Sequence, residues 1–124
     1  MSENILLDKS KAFAIRIVKL HKYLCSTKSE YVMSKQILRS GTSIGANLSE
    51  AEYAQSRKEF IAKAQISLKE AAETRYWLEL LHATDYISDS EFESMLNDCS
   101  ELIRMLTSSL KTAKANEKGK LNDE

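Results

Sequence analysis

The sequence contains no proline and only three glycines among its 124 residues, so it offers few of the turns that a β-sheet protein needs every ~10 residues. Its two cysteines, Cys25 and Cys99, fall on apolar helical stripes and are expected to be reduced thiols. No apolar run approaches the ~18 residues of a membrane span, and the N-terminal residues show no signal-peptide pattern. These absences predict a helical, cytoplasmic protein that does not bind membranes.

What the sequence does contain suits one domain with an apolar core, because 43% of its residues are hydrophobic and 29% are charged. The formal net charge is zero, which gives no general attraction to nucleic acids. The charges are nevertheless unevenly distributed, since residues 1–69 hold 12 basic and 6 acidic side chains, whereas residues 70–110 hold 2 and 9. The two parts of the chain therefore carry opposite net charges.

Capping signals divide the chain into four predicted helices, at about 8–25, 28–53, 57–84 and 89–115. Asp8 is the predicted cap of the first helix. The capping-box spacing marks the other three starts, at Thr27–Glu30, Ser56–Glu59 and Ser88–Glu91. Because short connections make neighbouring helices antiparallel, we expect an all-α, up-down-up-down four-helix bundle over residues 1–115. Residues 116–124 are polar and are predicted to form a flexible tail.

Two predicted helices have more apolar surface than one core needs. Helix 1 has a second apolar line through Ala14 and Val18, with Ile15 beyond it. Helix 3 is apolar on two opposite sides, and the aromatic residues of the second side are typical of interfaces. We therefore expect a homo-oligomer joined through helices 2 and 3. The predicted oligomer interface is Arg39, Ser43, Asn47, Glu50, Ile66, Lys69, Glu73, Tyr76, Trp77 and Leu80.

The segment "RSGTSIGANLSEA", residues 39–51, is rich in glycine and serine, which raises the question of a phosphate-binding loop. A Walker-type loop needs a lysine after its second glycine, but Gly45 is followed by Ala46, and no strand precedes it. The helical register also continues through Gly41 and Gly45. We therefore predict that this segment is a helix whose glycines let neighbouring helices approach closely.

A polar line along helix 2 is the most site-like feature of the sequence. It consists of Gln36, Arg39, Ser43, Asn47 and Glu50. It is either a solvated face or a buried network with charged residues of helix 3, namely Lys69, Glu70, Glu73 and Arg75. We favour the network, whose role would be specificity of packing, because the surrounding small residues bring the backbones together.

No residue pattern predicts catalysis or metal binding. Glu79 and His82 have the Glu-x-x-His spacing of di-iron bundles, but the other histidine, His21, lacks a glutamate three residues before it. Neither cysteine has an obvious histidine partner, and the serines form no triad pattern. We expect no enzyme activity, cofactor, metal or small-molecule substrate.

Three segments taken together resemble one bacterial family: "SKQILRSGTSIGANLSEA", "QSRKEFIAKAQISLKEAAETRYWLELL" and "CSELIRMLTSSLKTAK". "DKSKAFAIRIVKLHKYL" fits as well, so the resemblance covers about residues 8–114. The family comprises four-helix bundle proteins encoded in intervening sequences of 23S rRNA genes. The resemblance implies a homo-oligomeric ring, typically a pentamer, without known catalytic activity. A related branch, accessory proteins of diversity-generating retroelements, forms rings that bind nucleic acid and a reverse transcriptase.

Charge at one end of the predicted bundle bears on its partners. The starts of helices 1 and 3 share this end with the end of helix 4, and together they carry the predicted polyanion-binding residues: Lys9, Lys11, Arg57, Lys58, Lys63, Lys111 and Lys114. This end is either a basic rim that binds RNA or DNA in an assembled ring or a solvated mixed surface. The first alternative predicts a binding module associated with nucleic acid or ribonucleoprotein, and the second a protein-only scaffold.

Overall fold

The computed structural model describes the backbone of residues 2–122 and the side chains of residues 5–119. It consists of four helices: α1 (Ser2–Ser26), α2 (Met33–Ala51), α3 (Arg57–Ala83) and α4 (Asp89–Asn122). The described residues contain no strand, so the prediction of an all-α, four-helix protein is confirmed. None of the helices within residues 2–122 is both long enough and apolar enough to cross a membrane.

Two of the predicted helix starts are capped as their sequences indicate. The Ser56 side chain accepts a hydrogen bond from the Glu59 backbone N–H at 3.0 Å, and the Glu59 carboxylate accepts one from the Gln55 N–H. Ser88 likewise accepts from the Glu91 N–H at 3.2 Å. These bonds satisfy N–H groups that have no partner within the first turn of a helix, which fixes the starts of α3 and α4.

The predicted starts of α1 and α2 are wrong. Asp8 lies inside α1, which already begins at Ser2. The Thr27–Glu30 box does not form, because Ser29 has a φ of 53° and the Glu30 N–H bonds back to the Leu24 carbonyl. This segment therefore ends α1 instead of starting α2.

The start of α2 is capped by a buried carboxylate. Glu30 is only 8% exposed, and its two carboxylate oxygens accept the backbone N–H groups of Val32, Met33 and Ser34 at 2.7–3.2 Å. The Ser34 hydroxyl donates in return to the Glu30 carbonyl at 2.7 Å. A negative charge at a helix N-terminus is favoured by the helix dipole, so Glu30 has the role that a Ser, Thr or Asp cap usually has.

The core is closed by contacts between α1 and α2, α2 and α3, α3 and α4, and α4 and α1. Residue pairs run in opposite directions along each contact, as when Lys9 meets Glu101 while Arg16 meets Asp98, so neighbouring helices are antiparallel. The largest fully buried side chains fill the centre: Phe13, Ile17, Leu24, Ile37, Ile44, Leu78, Leu81, Met95, Leu102 and Leu106.

Residues 39–51 lie within α2, as predicted, and both glycines face a neighbouring helix at close range. A Cβ atom added to Gly41 would lie 2.7 Å from Cγ1 and 2.9 Å from Cγ2 of Ile17 on α1. A Cβ atom on Gly45 would lie 3.1 Å from the Ser10 hydroxyl. The segment is therefore a packing surface for α1.

Helix α4 is longer than predicted. The sequence analysis ended it at about residue 115, whereas it continues to Asn122, because residues 113–118 include helix-forming alanine, lysine and glutamate and no proline. Its last buried side chain is Ala113, and the residues described beyond it are exposed or half-buried. The flexibility of the predicted tail stays a prediction, and its last two residues lie outside the described part of the chain.

Candidate functional site

The outer side of α3 is the most unusual surface of the molecule. Its inner side is buried through Ala64, Ser67, Ala71, Thr74, Leu78 and Leu81. On the other side Ile66 is 44% exposed and Tyr76 is 55% exposed, while Trp77 and Leu80 are half-buried. We call these four residues the α3 outer face. Helix α3 thus has the two apolar sides that its sequence predicts, and the second is only partly covered within a single chain, by the packing of Trp77 against the core.

A charged cluster joins this face to α2. The Arg39 guanidinium donates to the Glu70 carboxylate at 2.7 Å and to the Glu73 carboxylate at 2.6 Å. Glu73 also accepts a hydrogen bond from the Trp77 indole N–H at 3.0 Å. The bonds from Arg39 and Trp77 lower the pKa of Glu73, and the bonds to Glu73 and Glu70 raise the pKa of Arg39. Both groups are therefore charged at neutral pH.

The predicted network between α2 and α3 forms only in part, and it is not buried within one chain. The Arg39 side chain is 51% exposed. Ser43 and Asn47 donate to carbonyls of their own helix, those of Arg39 and Ser43 respectively. Glu50 pairs instead with Lys63 at 2.7 Å, which raises the pKa of Lys63. Because these bonds lie at the surface, their net contribution to the stability of one chain is small.

The remaining predicted interface residue, Lys69, is exposed on α3. The predicted set therefore extends along the outer surfaces of α2 and α3, from the Glu50–Lys63 pair to Leu80.

Most of the basic side chains predicted to bind polyanions lie towards one end of the bundle. A groove there is lined by Leu6 of α1, by Arg57 and Phe60 of α3, and by seven residues of α4 between Arg104 and Asn116, among them neither Lys111 nor Lys114. Arg104, which the sequence analysis did not select, belongs to this groove. We call the four exposed residues at the start of α3 and towards the end of α4 the basic end: Arg57, Lys58, Lys111 and Lys114. Lys11 is also exposed, but it lies near the middle of α1. The other two predicted residues are paired, Lys9 with Glu101 and Lys63 with Glu50.

The prediction that neither cysteine has a histidine partner is wrong for Cys25. Its sulfur lies 3.7 Å from Nε2 of His21, and Nδ1 of His21 lies 3.1 Å from the Ser34 carbonyl oxygen. The spacing of four residues on one helix was the signal that could have revealed this pair. Cys99 differs, because it is fully buried and its thiol donates to the Ala71 carbonyl, and burial raises its pKa to about 12.

The histidine of the Glu-x-x-His motif makes contacts that are structural. His82 lies 2.7 Å from the Asp89 carboxylate and stacks on the Phe92 ring with a centroid distance of 4.1 Å. Within the described residues, no group of three or more histidine, cysteine, aspartate or glutamate side chains is placed to hold a metal ion. The contacts of His82 thus join the end of α3 to the start of α4.

Comparison with known proteins agrees with this architecture. One solved structure, a protein with unknown function from the S23 ribosomal protein family of Bacteroides thetaiotaomicron VPI-5482, is 58% identical in sequence. It superposes with a TM-score of 0.88, over 90% of this chain and 99% of that chain. No curated protein matches the sequence significantly. Residues 2–108 match the family described as 23S rRNA-intervening sequence protein, and the chain therefore belongs to that family.

Proposed function

We propose that the protein is a non-catalytic, cytoplasmic homo-oligomer, a pentamer as the family resemblance implies, that acts as a binding module for RNA, DNA or a ribonucleoprotein. The observation that carries the proposal is the α3 outer face, where Ile66 and Tyr76 are exposed beside a half-buried Trp77. Exposed aromatic residues on an otherwise charged surface are typical of interaction sites.

The contacts of Trp77 suit burial in an interface. Its indole N–H is already bonded to Glu73, so covering the ring would leave no donor without a partner. The Tyr76 ring packs edge-on against it, with a centroid distance of 5.1 Å and an interplanar angle of 71°, which forms one aromatic surface. The Arg39 guanidinium holds the Glu73 carboxylate in place from α2. This region can therefore meet another subunit without rearranging.

The basic end provides the proposed contact with nucleic acid. In a ring whose subunits point the same way, each copy would add the four exposed cations of the basic end to one rim. Phosphate contacts act together, and each neutralised phosphate makes binding more dependent on salt concentration. A neutral monomer can in this way form an assembly with one strongly basic surface. A protein-only scaffold is the alternative, and the two hypotheses differ in whether the assembly binds RNA at low salt.

The first prediction concerns assembly. Trp77→Ala removes the aromatic anchor of the α3 outer face and should lower the mass measured by light scattering at micromolar concentration. Tyr53→Ala is the matched control, since Tyr53 is 82% exposed but lies in the α2–α3 connection, and this change should leave the mass unaltered. A wild-type protein that is a monomer at this concentration would contradict the proposed self-association.

The second prediction concerns nucleic acid. Affinity of the intact oligomer for RNA should fall by roughly tenfold between about 50 and 200 mM salt if only two phosphates are contacted, and more if the rim contacts several. The double variant Arg57→Glu and Lys58→Glu should abolish this binding. Lys28→Glu with Lys35→Glu makes the same change in net charge at the other end of the bundle and should bind as the wild type does.

Two results would favour the protein-only scaffold instead. In one, the wild type does not bind RNA at low salt, and in the other, the Arg57→Glu, Lys58→Glu variant binds RNA as tightly as the wild type does.

A further inference from the structure

The outer surface of α1 carries an apolar stripe that the proposed contact through α3 does not use. Ile15 is 51% exposed, and Ala14 and Val18 beside it are half-buried. Together with three lysines, Lys11, Lys19 and Lys22, these residues line one shallow depression. No acidic side chain belongs to this lining. We call Ala14, Ile15 and Val18 the α1 stripe, an apolar surface with a cationic border.

The α1 stripe and the α3 outer face lie on different sides of the bundle, because α1 and α3 each contact α2 and α4 but, among the described residues, not each other. The two surfaces also lie at the same position along the long axis of the bundle, and we call residues at equal positions along this axis level with each other. Ile17 packs against Gly41, and the residue before Gly41, Ser40, accepts a hydrogen bond from Thr74. Ile17 is therefore level with Thr74, so that Val18 is level with Arg75 and Lys19 with Tyr76 on α3.

We propose that the α1 stripe receives the α3 outer face of a second copy of this chain, in a head-to-tail contact. The inference rests on the proposed self-association and adds the surface that completes it. When copies are related by rotation about an axis parallel to their helices, residues that are level with each other meet. The α1 stripe then packs against Tyr76 of the next copy and the small residue Ala72 beside it.

The charges around the two surfaces fit this register. Lys22 is level with Glu79, which is exposed on α3. Ile15 is level with Ala72, next to Glu73, whose carboxylate is partly exposed and ionised but already bonded to Arg39. Glu79 is therefore the acidic group that the cationic border of the α1 stripe meets. Lys11 is level with Leu68, next to the exposed Lys69, and these like charges weaken the contact. Lys69→Glu should accordingly strengthen the assembly.

The test uses two variants at exposed positions. Ile15→Glu places a negative charge near Glu73 of the next copy, and Tyr76→Lys places a positive charge against Lys19 and Lys22 of the next copy. Each variant alone should raise the concentration needed for half-assembly by about tenfold or more, the loss typical of one interface anchor. A mixture of the two in equal amounts should form one-to-one dimers but no larger assembly, because the unaltered α1 stripe of one chain can receive the unaltered α3 outer face of the other, while the remaining surface of each chain is altered.

Ile5→Glu is the matched control, since Ile5 is 53% exposed on the same helix but outside the α1 stripe. The assembly formed by this variant should have the same mass as that of the wild type. Circular dichroism verifies that each variant is folded. If the wild type assembles while Ile15→Glu retains its mass, or if the mixture stays monomeric, the head-to-tail contact is wrong and self-association stands. A monomeric wild type instead overturns the self-association on which the inference rests.

Discussion

Replacing Gly41 with leucine should destabilise the protein by about 1–3 kcal/mol or more, through overpacking between α1 and α2. Even the Cβ atom would lie 2.7–3.0 Å from three side-chain atoms of Ile17. Ile17 is fully buried and branched at Cβ, so it cannot move aside without displacing its neighbours. Chemical denaturation measures the loss, at one protein concentration for all variants because assembly also affects stability.

Two comparisons show whether the contact with Ile17 is the cause. Gly45→Ala should be much milder, because its Cβ atom would meet the small Ser10 hydroxyl at 3.1 Å and alanine favours the helix by up to ~1 kcal/mol. Gly41→Ala should cost less in an Ile17→Ala background than in the wild type. Nucleotide should not raise the melting temperature of any variant, and a rise would support a phosphate-binding segment after all.

Replacing Glu30 with alanine should lower the free energy of unfolding by about 1–2 kcal/mol, in the upper part of the range for loss of an ordinary helix cap. The change removes the acceptor for three backbone N–H groups at once, at the start of α2. It also removes the negative charge that the helix dipole favours there. Thermal unfolding followed by circular dichroism measures the effect.

Glu30→Gln separates the two contributions of this cap, because glutamine keeps one acceptor oxygen and loses the charge. It should be less destabilising than alanine. The control is Glu93→Ala, an exposed glutamate on α4, which should change the melting temperature little. Equal melting temperatures for the wild type and Glu30→Ala would show that water replaces the carboxylate without loss.

Much of the fold follows from short-range patterns. Ser56 and Ser88 mark real helix starts because a cap and its partner are three residues apart and need nothing from elsewhere in the chain. The helical pattern of α2 correctly predicted that Gly41 faces a neighbouring helix, since the repeat of 3.6 residues continues through a glycine. The two apolar sides of α3 were predictable for the same reason.

The structural features that the sequence analysis did not predict depend on contacts between segments of the chain. The role of Glu30 arises because the backbone at Ser29 turns into a left-handed conformation, which no local pattern specified. The network of α2 and α3 was predicted to be buried, but burial depends on how far the two helices splay at the surface, and Arg39 remains half exposed. For the candidate interface, the residues stay a sequence-based prediction, while their exposure and the position of the α1 stripe relative to α3 along the bundle axis required the structure.

The pattern of helix contacts, in which each helix packs against the next one in the chain and α4 packs against α1, also has a consequence for folding kinetics. Three of the four helix contacts join elements separated only by connections 27–32, 52–56 and 84–88, and the contact of α1 with α4 alone spans the chain. Local contacts of this kind cost little loop-closure entropy, and helical proteins dominated by them fold in microseconds to milliseconds. Each chain therefore folds faster than it encounters another at cellular concentrations, so that in the proposed assembly the α1 stripe and the α3 outer face would meet as preformed surfaces.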